Sequence, residues 1–203
     1  MIYLIGAGGH AAVIEDMAKK NNYSLAGVFY DGDINNLTKL DKIGSFVDLE
    51  NYVDKGNFVL AFGDIENRMM IANRLGKDAK WQTIVDPTAI IAGDVVIGEG
   101  TVVMPGAIIN AGARIGSHVI INSGAVIEHG CLINDHVHVA PGSVICGNCI
   151  IGKGSFIGAR TVVANAIEIG ENVIVGAGAV VINDIDSNLR VVGVPAKKIL
   201  KKK

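Results

Sequence analysis

From residue 91 to residue 181 every sixth position is Ile or Val, sixteen times in succession without an insertion. Val85 extends the series backwards. The position four residues after each aliphatic is also restricted; from 95 to 179 it holds only Val, Thr, Ala, Cys, Ser or Ile. Such an unbroken period predicts a hexapeptide β-helix, in which each hexad forms a short strand and a corner. The aliphatic fills a narrow bore and the smaller residue also faces inward. Three hexads close a triangular coil of 18 residues, so residues 85–183 supply between five and six coils. Stacked coils lie roughly 4.8 Å apart. The position just after the aliphatic is often glycine, as in Gly98, Gly116, Gly152, Gly158, Gly170 and Gly176. These glycines are expected at corners, where a positive φ is tolerated.

The first eighty residues follow a different pattern. Residues 1–5 read as a buried strand, followed by the turn Gly6-Ala7-Gly8-Gly9-His10-Ala11 and a helical stretch over 12–20. A second strand is expected at 27–30, ending in Asp31-Gly32-Asp33, and a third at 58–62. Gly63-Asp64 then leads into a helix over 65–75. Alternating strand and helix predicts a small parallel α/β unit. The expected organisation is an α/β domain at 1–80 and a β-helix domain with a C-terminal tail at 81–203. A glycine turn between first strand and first helix lets backbone N–H groups approach phosphate. Asp31 is placed to contact a ribose or base. A nucleotide-sugar site, an NAD site and a purely structural turn all fit this pattern, and the unit is short for a full dinucleotide fold.

Half of the chain is hydrophobic, yet no apolar run exceeds five residues. A membrane-spanning helix needs roughly 20, and residues 1–5 lack the basic region of a signal peptide. The net charge of −2 gives no nucleic-acid footprint. The terminal lysines from Lys197 onward are either a solvated tail or an aid to phosphate binding. The cysteines are Cys131, Cys146 and Cys149; their odd number fits a reducing cytoplasm. Cys146 and Cys149 form a CxxC pair, but Cys131 and Cys149 share the inward slot one coil apart, which favours a packing role.

The two halves together resemble the bacterial nucleotide-aminosugar N-acetyltransferases and sialic acid O-acetyltransferases, above all the enzymes that acetylate UDP-4-amino-4,6-dideoxy sugars in bacillosamine biosynthesis. Three stretches carry the likeness: Asn-Ser-Gly-Ala-Val-Ile-Glu-His-Gly-Cys at 122–131, His-Val-Ala-Pro-Gly at 138–142 and Gly-Val-Pro-Ala-Lys at 193–197. The resemblance implies a left-handed β-helix and a homotrimer with sites between subunits. Acetyl-CoA is the implied co-substrate, with no metal. By the same likeness His129 is the catalytic base, Asn122 a substrate-side polar group and His138 a neighbour of the thioester. Gly147 supplies a backbone N–H to the carbonyl oxygen. Gly8, Gly9, His10, Asp31, Gly63 and Asp64 form the nucleotide-sugar pocket. Gly158, Gly176 and Lys197 are implied coenzyme contacts. Some relatives carry a carboxylate directly after the catalytic histidine, where this chain has Gly130. Glu128 and Asp135 are therefore both candidates to orient His129, or no carboxylate is needed.

Four of the five histidines, His118, His129, His136 and His138, fall within 21 residues. His118 and His136 are 18 apart and should stack in adjacent coils. A zinc site is the rival reading, but no ligand spacing such as HExxH supports it. The implied chemistry is direct acyl transfer. A neutral imidazole, which in water titrates near ~6.5, can take the proton from a sugar ammonium at neutral pH. The amine attacks the thioester, a backbone N–H holds the oxyanion, and coenzyme A leaves. Two other functions are expected alternatives: O-acetylation of sialic acid or a polysaccharide, and a non-catalytic β-helix that binds a ligand or serves as a scaffold.

Overall fold

The structure, a computed structural model, describes residues 1–32 and 38–199; Asp33, named above, lies outside them. The chain divides into two compact units, Met1–Pro87 and Thr88–Lys203. The division falls after Pro87 and not at residue 80 because residues 80–86 are tied to the first unit. The Gln82 N–H donates to the Phe58 carbonyl at 2.9 Å, the Asn21 amide to the Val85 carbonyl at 2.9 Å, and Lys20 lies 3.4 Å from the buried Asp86 carboxylate.

The first unit is a five-stranded parallel sheet flanked by helices. Its strands are β1 (Ile2–Ile5), β2 (Leu25–Phe29), β3 (Lys42–Gly44), β4 (Asn57–Leu60) and β5 (Lys80–Trp81). Their order in the sheet is β3-β2-β1-β4-β5 and all four pairings are parallel. Helix α1 spans Gly9–Lys20 and α2 spans Ile65–Leu75. β3, β5 and a 3₁₀ turn over Phe46–Tyr52 were not legible, because two- and three-residue strands have no period to read. The core gathers aromatic rings: Tyr3 packs edge-on to Phe29 and Tyr52, at centroid distances of 5.6 and 5.4 Å.

In the second unit two-residue strands recur every six residues, from Ile90–Ile91 to Val180–Val181, and each pairs in parallel with the strand 18 residues on. Three faces result. Face 1 carries the strands at 90, 108, 126, 144, 162 and 180; face 2 those at 96, 114, 132, 150 and 168; face 3 those at 102, 120, 138, 156 and 174, continued by Arg190–Val192. Along the chain the order is face 3, face 1, face 2. The turns make three edges: 3/1 (such as 122–125), 1/2 (such as 128–131) and 2/3 (such as 134–137). The inward aliphatics from Ile121 to Val175 are fully buried.

The second inward position holds several polar residues, and all follow one rule. Thr101, Ser143 and Ser155 donate their hydroxyls to the carbonyls of Gly116, Gly158 and Gly170, each 15 residues on, at 2.7, 2.8 and 2.8 Å. The thiols of Cys131 and Cys149 do the same to Cys146 and Ala164, at 3.1 and 3.0 Å. The inward cysteines thus act as small residues that stitch one coil to the next.

The corner glycines require a correction. Within the coils the positive φ values fall three residues after an inward aliphatic, at Gly106 (69°), Gly124 (64°) and Gly130 (67°), and also at Asn148 (59°), His118 (56°) and His136 (59°). The glycine directly after the aliphatic serves close stacking instead. A Cβ on Gly98 would lie 2.5 Å from the Gly116 carbonyl carbon, and one on Gly152 2.4 Å from that of Gly170. A real carbon cannot approach backbone so closely without parting the coils.

Candidate active site

In the first unit the turn after β1 opens a cavity of about 310 Å³, lined by Gly6, Ala7, Gly8, Tyr30, Asp31, Phe46, Phe62, Asp64 and Asn67. These residues follow the carboxyl ends of β1, β2, β3 and β4. The strand order reverses at β1, which lies between β2 and β4, and such a switch point is where open α/β sheets bind ligands. Gly6 is needed by the backbone: its φ is +116° and a Cβ would lie 2.9 Å from the Ala61 carbonyl oxygen. Gly8 is different. Its φ is −83° and a Cβ there would meet nothing within 4 Å. Nothing inside the fold demands glycine at 8, whereas a ligand approaching the turn would. Gly8 is also the N-cap of α1 and offers no side-chain cap, so the first-turn N–H groups carry the helix's partial positive charge toward any anion there.

Of the pocket residues expected from sequence, Gly8, Asp31 and Asp64 line the cavity. Gly9, His10 and Gly63 adjoin the lining residues in sequence but are not themselves on its wall. Both carboxylates already hold the pocket together. Asp31 accepts the Phe46 N–H at 3.0 Å, and Asp64 caps α2 by accepting the Asn67 N–H at 2.8 Å. Burial, then the positive charge of Arg68, lowers the His10 pKa to about 4, so its ring is neutral at physiological pH. Arg68 is itself 1% exposed, and burial lowers its pKa to about 10, opposed by Asp64. Tyr30, Phe46, Phe62 and Asn67 were not anticipated. Phe46 follows the unrecognised β3, and Phe62 and Tyr30 read only as strand ends.

In the second unit the expected residues form two clusters. On edge 1/2, His129 is exposed and its ring lies over Gly147 of the next coil, with Cε1 2.5 Å from where a Gly147 Cβ would stand. The turn is pinned beneath the ring: the Asn148 N–H donates to the His129 carbonyl at 2.9 Å and the Gly130 N–H to that of Ala111 at 3.0 Å. Among the described residues the Gly147 N–H meets no hydrogen-bond acceptor, and no carboxylate hydrogen-bonds the His129 ring. Glu128 precedes His129 in the same turn. Asp135 does not adjoin it within one chain; it sits on edge 2/3, where its carboxylate accepts the Ser117 N–H at 2.8 Å.

The other cluster lies along face 3 and edge 3/1. The Asn122 amide nitrogen is 3.1 Å from His138 Nε2, and His138 packs edge-on to Phe156 at a centroid distance of 5.1 Å. Gly158 and Gly176 occupy the Asn122 slot two and three coils on. A Cβ on Gly158 would lie 2.6 Å from the Val175 carbonyl oxygen, and one on Gly176 2.5 Å from a Val192 methyl, so both glycines serve packing as well. Lys197 lies in a strand, Lys197–Lys198, that pairs antiparallel with Arg190–Val192 and so borders face 3. Face 1 therefore separates the His129–Gly147 cluster from the Asn122–His138 cluster.

His118 and His136 stack on edge 2/3 with centroids 4.9 Å apart and planes 16° apart, apart from both clusters. Among the described residues no group of three or more His, Cys, Asp or Glu is placed to hold a metal ion. Cys131, 1% exposed, has its pKa raised by its hydrogen bond with Cys149 and then by burial. It is a core thiol, not an accessible acyl carrier. Among the described residues no helix is long and apolar enough to cross a membrane.

The PglD N-terminal domain family matches residues 1–75, and the bacterial transferase hexapeptide family matches 112–147 and 148–183. The acetyltransferase domain of PglB from Neisseria gonorrhoeae FA1090 is 32% identical, with 98% of each chain covered and a TM-score of 0.91. The chain belongs to the bacterial hexapeptide sugar N-acetyltransferases. As a member it is an acetyl-CoA-dependent N-acetyltransferase with a left-handed β-helix. A histidine-to-asparagine mutant of perosamine N-acetyltransferase from Caulobacter crescentus, in complex with CoA and GDP-perosamine, is a further family structure. It is 29% identical, with 98% of this chain and 97% of that chain covered and a TM-score of 0.93. A curated relative, the uncharacterized protein L142 of Acanthamoeba polyphaga mimivirus, is 32% identical over 100 residues. That match covers 49% of this chain and 20% of the viral protein.

Proposed function

We propose that the enzyme transfers the acetyl group of acetyl-CoA to the amino group of a nucleotide-linked 4-amino-4,6-dideoxy sugar, with UDP as the carrier nucleotide and His129 as the general base. The observation that carries this reading is the pairing of His129 with Gly147: an exposed imidazole lies over a glycine whose N–H meets no acceptor among the described residues. His129 takes a proton from the sugar ammonium. The freed amine attacks the acetyl carbonyl, and the Gly147 N–H stabilises the oxyanion. The intermediate collapses, the carbon–sulfur bond breaks, the departing thiolate takes the remaining surplus proton from the nitrogen, and His129 returns the first proton to solvent. The nucleotide is held by the glycine-turn cavity, where Phe46 and Phe62, with centroids 6.2 Å apart, offer apolar walls and Gly8 an open approach to phosphate. His138 and the Gly158–Gly176 column belong to the coenzyme site.

A GDP sugar is the second reading, favoured by the GDP-perosamine bound to the Caulobacter enzyme. The test is a screen of UDP-, GDP- and dTDP-linked 4-amino sugars, with sialic acid alongside, for thiol release from acetyl-CoA. Turnover of an amino sugar is expected. Turnover of sialic acid alone would replace N-acetylation with O-acetylation, and no thiol release with any acceptor would sink the reading.

The active form is a homotrimer with each site between two subunits. Face 1 supports this. Its outward residues are Ile90, Ile108, Val126, Val144, Val162 and Val180, an all-aliphatic row in register. None is buried in the protomer; Ile90 is 65% and Val162 38% exposed. Face 2 interrupts its own row with Arg114 and Glu168. A second copy seated on face 1 would cover the row and bring edge 3/1 of one subunit beside edge 1/2 of another. A closed cyclic group satisfies every such contact. The paired inward thiols Cys131 and Cys149 suit a reducing cytoplasm.

A further inference from the structure

We infer that Gly147 is a positioning residue for His129: the space its missing side chain leaves is the slot that fixes the catalytic ring. The inference rests on His129 being the base. A Cβ at Gly147 would stand 2.5 Å from His129 Cε1, 2.6 Å from Nε2 and 3.2 Å from Nδ1. The Cε1–Nε2 edge of the ring therefore lies directly against the Gly147 α-carbon. Carbon atoms in contact settle at about 3.5–4.0 Å, so any side chain at 147 evicts the ring.

No other reason for glycine at 147 is present. Its φ lies outside the positive range, unlike the corner residues Gly130 and Asn148. The stacking glycines Gly98, Gly152 and Gly158 face backbone atoms of the next coil, whereas the three atoms nearest a Gly147 Cβ all belong to one imidazole. The same slot holds His129 itself one coil earlier, Ala111 two coils earlier and Asn165 one coil later, so the coil itself accepts a side chain there. Gly147 thus does two things at one point. Its open α-carbon locates Nε2, the proton acceptor, and its N–H is the oxyanion donor of the proposed mechanism. Base and oxyanion donor are set against each other by one residue, without a carboxylate to orient the ring.

The test is a double-mutant cycle of Gly147→Ala and His129→Ala, assayed with acetyl-CoA and the best 4-amino sugar nucleotide from the screen above. Gly147→Ala is expected to lower kcat by about 10–10², since a displacement of about 1 Å costs on that order, with KM for acetyl-CoA changed less than about threefold. In the His129→Ala background Gly147→Ala should have little further effect, because the ring it displaces is gone. Its melting temperature should be at least that of Gly147→Ala alone, which keeps the test valid if the single variant folds poorly. Wild-type kcat in Gly147→Ala would overturn the inference. So would independent, multiplying losses, which would mean that Gly147 acts through its N–H alone. Full activity of His129→Ala would overturn the base assignment itself, a separate result read from that variant by itself.

Discussion

The two units solve the problem of making a site in opposite ways. In the first, the cavity is lined from within one unit: loops from four strand ends converge on it, and Asp31 and Asp64 brace it by bonding to backbone. In the second, the repeat fills its own bore and leaves only faces and edges. Its chemistry-bearing groups stand on two edges with an aliphatic face between them. An irregular α/β unit gains concavity from the divergence of its loops, whereas a regular prism gains it only from a second prism. Glycine shows the same contrast: Gly8 faces open space, while Gly98, Gly152 and Gly158 face backbone.

The largest loss of activity is expected at His129. Replacement by Ala is expected to lower kcat by about 10²–10⁴ while leaving acetyl-CoA binding nearly intact. Thiol-release kinetics beside a coenzyme-binding titration would read both, and a variant retaining more than half its activity would remove the edge as the seat of chemistry. Next comes the aliphatic face. Val144→Arg should split the assembly to the 21.2 kDa protomer and lower activity at least tenfold, while Leu132→Arg on face 2 should do neither. Light scattering at assay concentration decides, and a fully active protomer would end the argument for shared sites. Third, Gly8→Val should raise KM for the nucleotide sugar about tenfold or more, leave KM for acetyl-CoA unchanged, and leave the melting temperature nearly unchanged. Equal effects on both substrates would make the turn purely structural.

The smallest effect concerns pH. The folded-state pKa of His10, about 4, lies below its unaltered value of 6.5, so between those values the unfolded chain binds a proton that the native chain refuses. Its contribution to stability is therefore complete above pH 6.5 and is lost as pH falls toward 4, by about 3 kcal/mol at most. Thermal melts of the wild type and His10→Gln at pH 7 and pH 4.5 should show a shallower fall in the variant. Identical pH dependence would mean that His10 is not shielded as the structure implies.

Legibility differed along the chain for physical reasons. A period of six is read directly, because each coil repeats one set of constraints; the inward positions of Cys131 and Cys149 and the stacking of His118 on His136 followed from it. The reason for the glycines did not, since tight turns and close stacking both select the smallest residue and only the backbone angles separate them. In the first unit the helix over 65–75 was read to its ends, because Asp64 is a recognisable cap. α1 begins at Gly9, three residues before the expected start, because glycines hide a helix's first turn. Phe46 was beyond reach: its place in the cavity depends on a three-residue strand and on an Asp31 bond across 15 residues. The role of Gly147 against the His129 ring required coordinates, since 18 residues of spacing give adjacency but not which way a ring lies.

The strand Lys197–Lys198 has a consequence beyond the coenzyme contact proposed for Lys197. A pile of parallel rungs has no natural last member; its final rung is as good a template as any inside, and another molecule could continue it end to end. Here the row stops at Arg190–Val192, and the chain doubles back so that Val191 faces Lys198 and Val192 faces Lys197 in the reverse direction. A reversed, cationic rung offers a newcomer the wrong polarity and a like charge, the means by which sheet edges are kept from joining. The reversed strand is in that sense a terminator for face 3.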